Sequence, residues 1–363
     1  MTTGLSSPKH LEALILARLM AWWLPYPKTV VIEPINVCQL RCPLCPTGAR
    51  KLNYDSSVMS LETFDRILSK VPFVKAIDLH RAGEPFLNPD IFEMIRRATD
   101  KNIYVVLSTN FSFRRPAEFF EALVTCGLDR LIVSMDGASA QTYSEYRVGG
   151  DFDLVFSNLK ETVSAKERVR SKNPEIVWQF LVNRFNEHEI PTAQQMARDL
   201  RISLDLRPLD MSDNLVDVEL DTTIEERKAH WLGRNQDYIC RQYKEEVRYP
   251  ILEGICTEIF TSLAIAVDGR VLPCCGAWDK NSVFGNLLTD SFEDIWFGDK
   301  YVSSRLRFFA EGHRADVKTI CSGCKVFGTS PSVKDRLNLL KTILRKNFRH
   351  WERKLTSFRR ATS

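Results

Sequence analysis

The chain has 363 residues, of which 44% are hydrophobic and 26% charged, and a net charge of +4 at pH 7. That length suits one barrel-sized domain plus a smaller one, and the balance is that of a folded globular protein, which excludes a disordered or fibrous chain. Ten cysteines in a chain this long, with no signal-peptide pattern at Met1, argue against a small secreted disulfide scaffold; the expected location is a reducing cytoplasm in which thiolates hold metal.

The first predicted element is a helix within residues 9–24, where Glu12 and Arg18 interrupt an apolar run closed by Pro25 and Pro27. It is too short and too charged to cross a bilayer, so residues 1–28 are read as an N-terminal helical packing segment. From Thr29 to about Leu209 strands and helices alternate. The apolar runs Thr29 to Ile35, Ala76 to Leu79, Ile103 to Leu107, Arg130 to Ser134, Ile176 to Val182 and Ser203 to Leu206 predict strands. Amphipathic spacing predicts helices over Leu61 to Lys70, Pro89 to Thr99, Pro116 to Cys126, Phe152 to Ala165 and Glu189 to Leu200. Six such units predict a parallel sheet curled into all or part of a barrel, with reacting groups at the C-terminal ends of its strands.

Those strand ends carry chemistry. Cys38, Cys42 and Cys45 follow the first strand in the spacing Cys-x3-Cys-x2-Cys. Three soft thiolates in one short loop can hold three corners of a cubic iron–sulfur cluster and leave the fourth iron open to a ligand. Zinc is the competing reading, although it normally closes a tetrahedron and no histidine lies near this loop. After the second strand comes His80-Arg81-Ala82-Gly83-Glu84-Pro85, whose glycine permits close backbone approach and whose Glu84 carboxylate suits an ammonium. Ser108-Thr109-Asn110 and Ser134-Met135-Asp136-Gly137 follow the third and fourth strands. Arg147 can pair a carboxylate in two places, and Gln179 in the fifth strand can reach the same ligand. Each of these residue types also serves as an ordinary turn or cap residue; their placement after successive strands is what points to a site.

Residues 210–255 read as a charged connector without clear periodicity, acidic from Asp210 to Asp221, with Trp231 and Tyr238 as packing residues. Then Cys256 and Cys274 precede the pair Cys321 and Cys324, and a hairpin is expected from Thr261 to Ala266 and Arg270 to Leu272 about Asp268-Gly269. Four thiols in two pairs can saturate a second cluster, which then carries an electron but binds no ligand, or can hold a structural zinc. Cys275 is an alternative to Cys274, while Cys126 and Cys240 stand alone as buried apolar thiols. In the last segment, 329–363, Val333, Leu337, Leu340, Leu344, Phe348, Trp351, Leu355 and Phe358 form one stripe of a basic amphipathic helix. Ten Lys or Arg against Asp335 and Glu352 from Lys334 on suit packing or peripheral contact with an anionic membrane; no nucleic-acid recognition motif accompanies them.

The run Cys38 to Cys45 resembles the signature of radical S-adenosylmethionine (radical SAM) enzymes, with Leu44 where an aromatic residue is common. His80 to Pro85 resembles their Gly-Gly-Glu-Pro segment with Ala82 in place of the first glycine, and residues 256–328 resemble SPASM and twitch auxiliary-cluster domains. Ser330 stands where the SPASM pattern would place its next cysteine, so the resemblance is to the single-cluster form. It covers about residues 29–328. It implies a partial (β/α)6 TIM-like barrel over 29–209 followed by a small α+β domain, with S-adenosylmethionine and two 4Fe-4S clusters as cofactors. Cys38, Cys42 and Cys45 would ligate the first cluster, and Cys256, Cys274, Cys321 and Cys324 the second; Glu84, Ser108, Asn110, Ser134, Asp136, Arg147 and Gln179 would lie around SAM. The implied reaction is reductive cleavage of SAM, fed by a donor such as flavodoxin or ferredoxin, and hydrogen-atom abstraction from a substrate. Dehydrogenation of a sugar or cyclitol alcohol is the first choice, with the base that takes the proton not identified. Crosslinking or epimerisation of a peptide is the alternative, and a noncatalytic zinc-binding interaction protein is the alternative from another class.

Overall fold

The computed structural model of the protein describes residues 26–211, 220–239, 256, 258–307 and 317–324. The expected N-terminal helix, Cys240, most of the acidic Asp210 to Asp221 stretch and the basic amphipathic tail lie outside the described residues. Six parallel strands, β1 (Thr29–Ile32), β2 (Ala76–Asp78), β3 (Tyr104–Thr109), β4 (Arg130–Ser134), β5 (Glu175–Val182) and β6 (Ser203–Pro208), pair in sequence order. Helices fall where the periodicity puts them, at Leu61–Lys70, Ile91–Thr99, Ala117–Thr125, Phe152–Val169 and Ile190–Asp199. Ser60 and Asp151 set two of their starts, each side chain accepting from a backbone N–H three residues on. A further helix, Ala140–Tyr146, is capped by Ser139.

The period of two along each strand decides the layers. Val30, Ile32, Ile77, Leu79, Val105, Leu107, Leu131, Val133, Trp178 and Phe180 all point one way, are fully buried, and join one core with Phe64, Ile67, Ile95 and Leu123 of the helices. Each such side chain contributes about 1.5–3 kcal/mol by leaving water. The residues between them, including Val31, Asp78, Ser108 and Gln179, face the concave side and are only half-buried. The sheet therefore curls with a polar inner surface, and its β6 edge is open. No described helix is long and apolar enough to cross a membrane.

Two expectations change. The connector contains a helix, Ile224–Trp231, closed by a Thr223/Glu226 capping box; only Arg227 and Trp231 are buried on it, which is why no apolar periodicity marks it. Trp231 does pack as expected, edge-on to Tyr146 and Phe185 at 5.4 Å each. The second domain also continues the first sheet. Strand β7 (Ala264–Ile265) lies parallel to β1, with Val31 N–H bonding to Leu263 O at 3.0 Å, and β8 (Arg270–Leu272) and β9 (Gly285–Asn286) follow antiparallel. Thr261 belongs to the short helix Glu258–Thr261 and not to the hairpin, whose turn is at Gly269 with φ +80. Tyr26, Phe73 and Phe292 interlock across the same junction with ring centroids 4.5–5.1 Å apart.

Within this junction Arg81 and Glu33 form an ion pair whose side chains are 1% and 0% exposed, and Arg81 also donates to Ala277 O and lies 4.4 Å from the Trp278 ring. Removing one partner of such a pair strands a buried charge and costs roughly 3–5 kcal/mol. Arg81→Met should lower the denaturant midpoint accordingly, and Glu33→Leu/Arg81→Met should recover most of the loss; an unchanged midpoint in the single variant would show that the pair is dispensable.

Candidate functional site

The three early thiols sit in one loop at the C-terminal end of β1, with Cys42 buried and Cys38 and Cys45 half-buried. The loop closes on itself: Cys45 N–H bonds to Cys42 O at 3.2 Å, and a Cβ at Gly48 would lie 2.6 Å from both the nitrogen and the oxygen of Cys42. Leu40 and Cys42 anchor it from behind on Tyr146, Leu209, Met211 and Trp231. Burial pushes the Cys38 thiol up to about 12 and Cys42 to about 11; the Cys42 and Cys45 sulfurs raise Cys38 further, and Cys45 raises Cys42. Among the described residues no three Cys, His, Asp or Glu side chains already stand in the arrangement of a closed metal site.

Polar donors meet this loop. Asn110 Nδ2 lies 3.4 Å from Cys38 Sγ, while Gln39 Nε2 donates to Asn110 Oδ1 at 2.9 Å and to Ser112 O at 3.0 Å. Arg147 Nη1 lies 3.9 Å from Cys42 Sγ, and its Nε donates to Asp136 Oδ2 at 2.6 Å. Burial opposes the charge on Arg147, but Asp136 and Cys42 outweigh it and hold the guanidinium well above its ordinary pKa. Asp136 is fully buried and also accepts from Leu181 N at 2.7 Å.

Glu84 reaches its place because Gly83 adopts φ +73 and its Cα faces the Ile35 and Val37 backbone, where a Cβ would come within 2.5 Å of Ile35 O. Glu84 N–H then bonds to Val37 O at 2.8 Å. Its carboxylate is 1% exposed and takes three bonds, from Thr109 Oγ1 (2.7 Å), Phe86 N (3.2 Å) and Asn110 N (2.7 Å). Those occupy both lone-pair directions of Oε1 and one of Oε2, so a single acceptor position remains. Ser108 and Ser134 touch through their hydroxyls at 3.3 Å, and Gln179 lies half-buried on the same inner surface, its backbone paired with Ser134 and Met135. The structure thus gathers all the early predicted residues at one face of the sheet. It gives roles to Thr109 of the polar run after β3 and to Gln39 inside the cysteine run, and adds Ser112, for which no sequence signal existed beyond its position beside a motif. It also adds Asp78 and His80, the titratable pair on the inner face of β2, where burial raises the carboxyl and lowers the imidazole. A pocket lined by Arg184, Glu187, His188 and Arg234 includes none of these residues.

In the second region burial raises Cys256 and Cys274 most; Cys321 raises Cys256 further, and Cys275, Cys321 and Cys256 raise Cys274 further. Cys324 adds to the effect on Cys321. Cys275 is exposed and faces Glu258, Arg81 and Asp78 instead. Arg307 donates to the carbonyls of both Cys321 and Cys324, clamping their turn. Cys126 is buried alone, as expected.

Burial raises Glu84 from the ordinary 4.5 to about 7. A carboxyl that binds its proton more tightly when folded stabilises the fold fully at low pH and loses that contribution as pH rises through the folded value. The midpoint of denaturation of metal-free protein should therefore fall between roughly pH 5 and 8, and Glu84→Gln should flatten that slope; parallel slopes would assign the dependence to other groups.

The Radical SAM superfamily model matches residues 32–171, and the iron–sulfur cluster-binding SPASM model matches residues 256–325. The AdoMet-dependent heme synthase of Methanosarcina barkeri is 30% identical over 176 residues, 48% of this chain and 48% of that protein. The tungsten-containing aldehyde ferredoxin oxidoreductase cofactor-modifying protein of Pyrococcus furiosus is 25% identical across 81% of this chain and 87% of its own. The PqqA peptide cyclase of Methylobacterium nodulans is 28% identical across 75% and 73%. Among solved structures, BtrN in complex with AdoMet and 2-DOIA superposes with a TM-score of 0.51 at 19% identity, covering 83% of this chain and 92% of BtrN. Streptococcus suis SuiB bound to S-adenosylmethionine gives 0.61 at 14%, covering 87% and 76%. These two share the open, mostly parallel α/β sheet with the iron–sulfur domain C-terminal to it. A radical SAM domain implies S-adenosylmethionine and a 4Fe-4S cluster, and a SPASM domain implies further iron–sulfur clusters, which leaves the noncatalytic zinc protein without support. The chain belongs to the radical SAM superfamily and carries a SPASM-type iron–sulfur domain at the end of its half-open barrel.

Proposed function

We propose that Cys38, Cys42 and Cys45 hold the SAM-binding cluster, that Cys256, Cys274, Cys321 and Cys324 hold a single auxiliary cluster, and that the enzyme dehydrogenates a sugar or cyclitol alcohol. When bound, the first cluster with SAM supplies the 5'-deoxyadenosyl radical, and the auxiliary cluster supplies a one-electron acceptor. The substrate alcohol would lose a hydrogen atom to the radical, a proton to a base and an electron to the oxidised auxiliary centre, which balances as loss of two hydrogens. The grouping of Cys256, Cys274, Cys321 and Cys324, with Ser330 where the SPASM pattern would place its next cysteine, is the observation that carries this reading, since a saturated one-electron centre is what a carbon radical needs to become a ketone. Cys274 is preferred to Cys275 because it faces Cys256 and Cys321.

The chain's own residues would prepare SAM. Arg147, held cationic by Asp136 at the edge of Cys42, is suited to the SAM carboxylate where it would meet the open iron. The one acceptor position left on Glu84 suits the ammonium. Asn110 would donate toward the cluster sulfur at Cys38, with Gln39 holding the Asn110 amide in place through Asn110 Oδ1. Ser108, Ser134 and Gln179 offer hydroxyls and an amide to the ribose on the inner face. The domains then run as 29–209 for the core, 210–255 for the connector and 256–328 for the auxiliary domain. A second reading, modification of a peptide, is favoured by the similarity to PqqA peptide cyclase.

Anaerobically reconstituted protein should hold about eight irons and release 5'-deoxyadenosine with SAM and a low-potential donor. Replacing Cys38, Cys42 and Cys45 together by Ala should leave about four irons and abolish SAM cleavage, whereas Cys321→Ala/Cys324→Ala should retain cleavage and lose product. With candidate sugars and cyclitols the expected product is two hydrogens lighter, and a crosslinked or epimerised peptide as the sole product would replace the first reading with the second.

A further inference from the structure

Three carboxylates at this face of the sheet are engaged by the protein itself: Glu33 by Arg81, Asp136 by Arg147, and Glu84 by Thr109 and two backbone N–H groups. Asp78 and His80 differ. Their neighbours Ile77 and Leu79 are fully buried in the core, so the period of two turns both titratable side chains to the concave side. Both are half-buried there. Among the described residues neither makes a hydrogen bond or an ion pair, and of the two ring nitrogens of His80 only Nδ1 is enclosed. Nε2 is therefore the nitrogen that a ligand on the inner surface meets.

The two residues stand between the two thiol groups. Asp78 is in register with Val31 of β1, one strand spacing of about 4.8 Å away. Val31 packs with Cys274 against Ala264, Ala266 and Ala277. In the other direction the chain runs from His80 through the Gly83 turn to Glu84, whose N–H bonds to Val37 O beside the Cys38 loop. A substrate lying between the early and the later thiols thus rests against this wall. Polar groups left unsatisfied on a half-buried surface are costly to the fold, so packing alone gives no reason for either residue. Burial lowers the imidazole pKa, which keeps the ring neutral and able to accept a proton, while Asp78 opposes that shift and favours the charged ring.

We propose that His80 is the catalytic base of the dehydrogenation, its Nε2 taking the hydroxyl proton of the substrate alcohol, and that Asp78 is the positioning residue that steadies the imidazolium so formed. The carbon gives its hydrogen atom to the 5'-deoxyadenosyl radical, the oxygen gives its proton to Nε2, and one electron passes to the oxidised auxiliary iron–sulfur centre as the C=O bond forms. The alcohol loses two hydrogens in all. This rests on the reading of the enzyme as an alcohol dehydrogenase.

The test uses the full, anaerobically reconstituted chain with C-deuterated scyllo-inositol, glucose and N-acetylglucosamine as probes. Deuterium carried into 5'-deoxyadenosine reports hydrogen-atom abstraction, and ketone formed per 5'-deoxyadenosine reports the proton and electron steps. His80→Gln should keep deuterium transfer within about twofold of the parent and lower ketone per 5'-deoxyadenosine roughly a hundredfold. In His80→Ala, added imidazole should restore ketone in proportion to its unprotonated form. Asp78→Asn should move the acid limb of the ketone profile to lower pH, because the carboxylate raises His80; Glu258, which faces Asp78, and Arg81, which with Asp78 faces Cys275, stay in place. In metal-free protein the histidine NMR resonance missing from His80→Gln should titrate below the ordinary histidine range, and lower still in Asp78→Asn. Ketone at the parent's level in His80→Gln would overturn the proposal, as would a deficit that imidazole leaves unchanged. Loss of deuterium transfer in both His80 variants would do the same, since the ring would then orient the substrate without taking its proton. An imidazole unmoved by Asp78→Asn would overturn the part given to Asp78. A parent that dehydrogenates none of the three probes would instead overturn the alcohol reading itself, and the base with it.

Discussion

The buried pair of Glu33 and Arg81 fixes how the two thiol groups stand to each other. Glu33 extends β1 toward the Cys38 loop, Arg81 lies two residues before Gly83, and the same guanidinium reaches Ala277 and Trp278 just beyond Cys274. Such a pair contributes little net stability compared with apolar residues of the same volume. Its contribution is geometric, because Arg81 finds all its partners in only one arrangement of the three segments. The Gly83 turn then sets Glu84 against Val37 and the end of β3, so the early loop inherits the same alignment.

Around each thiol group the chain solves the charge problem differently. The early group meets amides from Gln39 and Asn110 and a guanidinium that Asp136 already neutralises. The later group meets hydroxyls and backbone N–H groups, and the Arg307 guanidinium, which donates to the carbonyls of Cys321 and Cys324. In both, burial is the leading cause that keeps the free thiols protonated, so uptake of metal must release protons and depends on pH.

The six strand and helix units were legible in the sequence because each buries one face at a fixed period, as Val105 and Leu107 or Ile91, Met94 and Ile95 do. The clustering of Cys38, Cys42 and Cys45 in one loop was legible from their spacing. The Ile224–Trp231 helix was not, since it packs through Trp231 and Arg227 alone. Nor was the continuous sheet, because the contact of Val31 with Ala264 joins positions far apart in sequence and leaves no local pattern. Asn110 was visible as a polar strand-end residue, but its bond to Cys38 depends on how Glu84 pulls the β3 end inward, which only the folded chain reveals.

Because β7 pairs with β1, the strand that carries the signature loop lies in the interior of a nine-stranded sheet and not at its border. Severing the chain at the connector would bare the backbone of Thr29-Val30-Val31-Ile32, a short β-branched run with unmatched donors and acceptors of the kind that recruits other strands. The barrel half expressed by itself is thus an aggregation hazard, and the SPASM half acts as its edge protection.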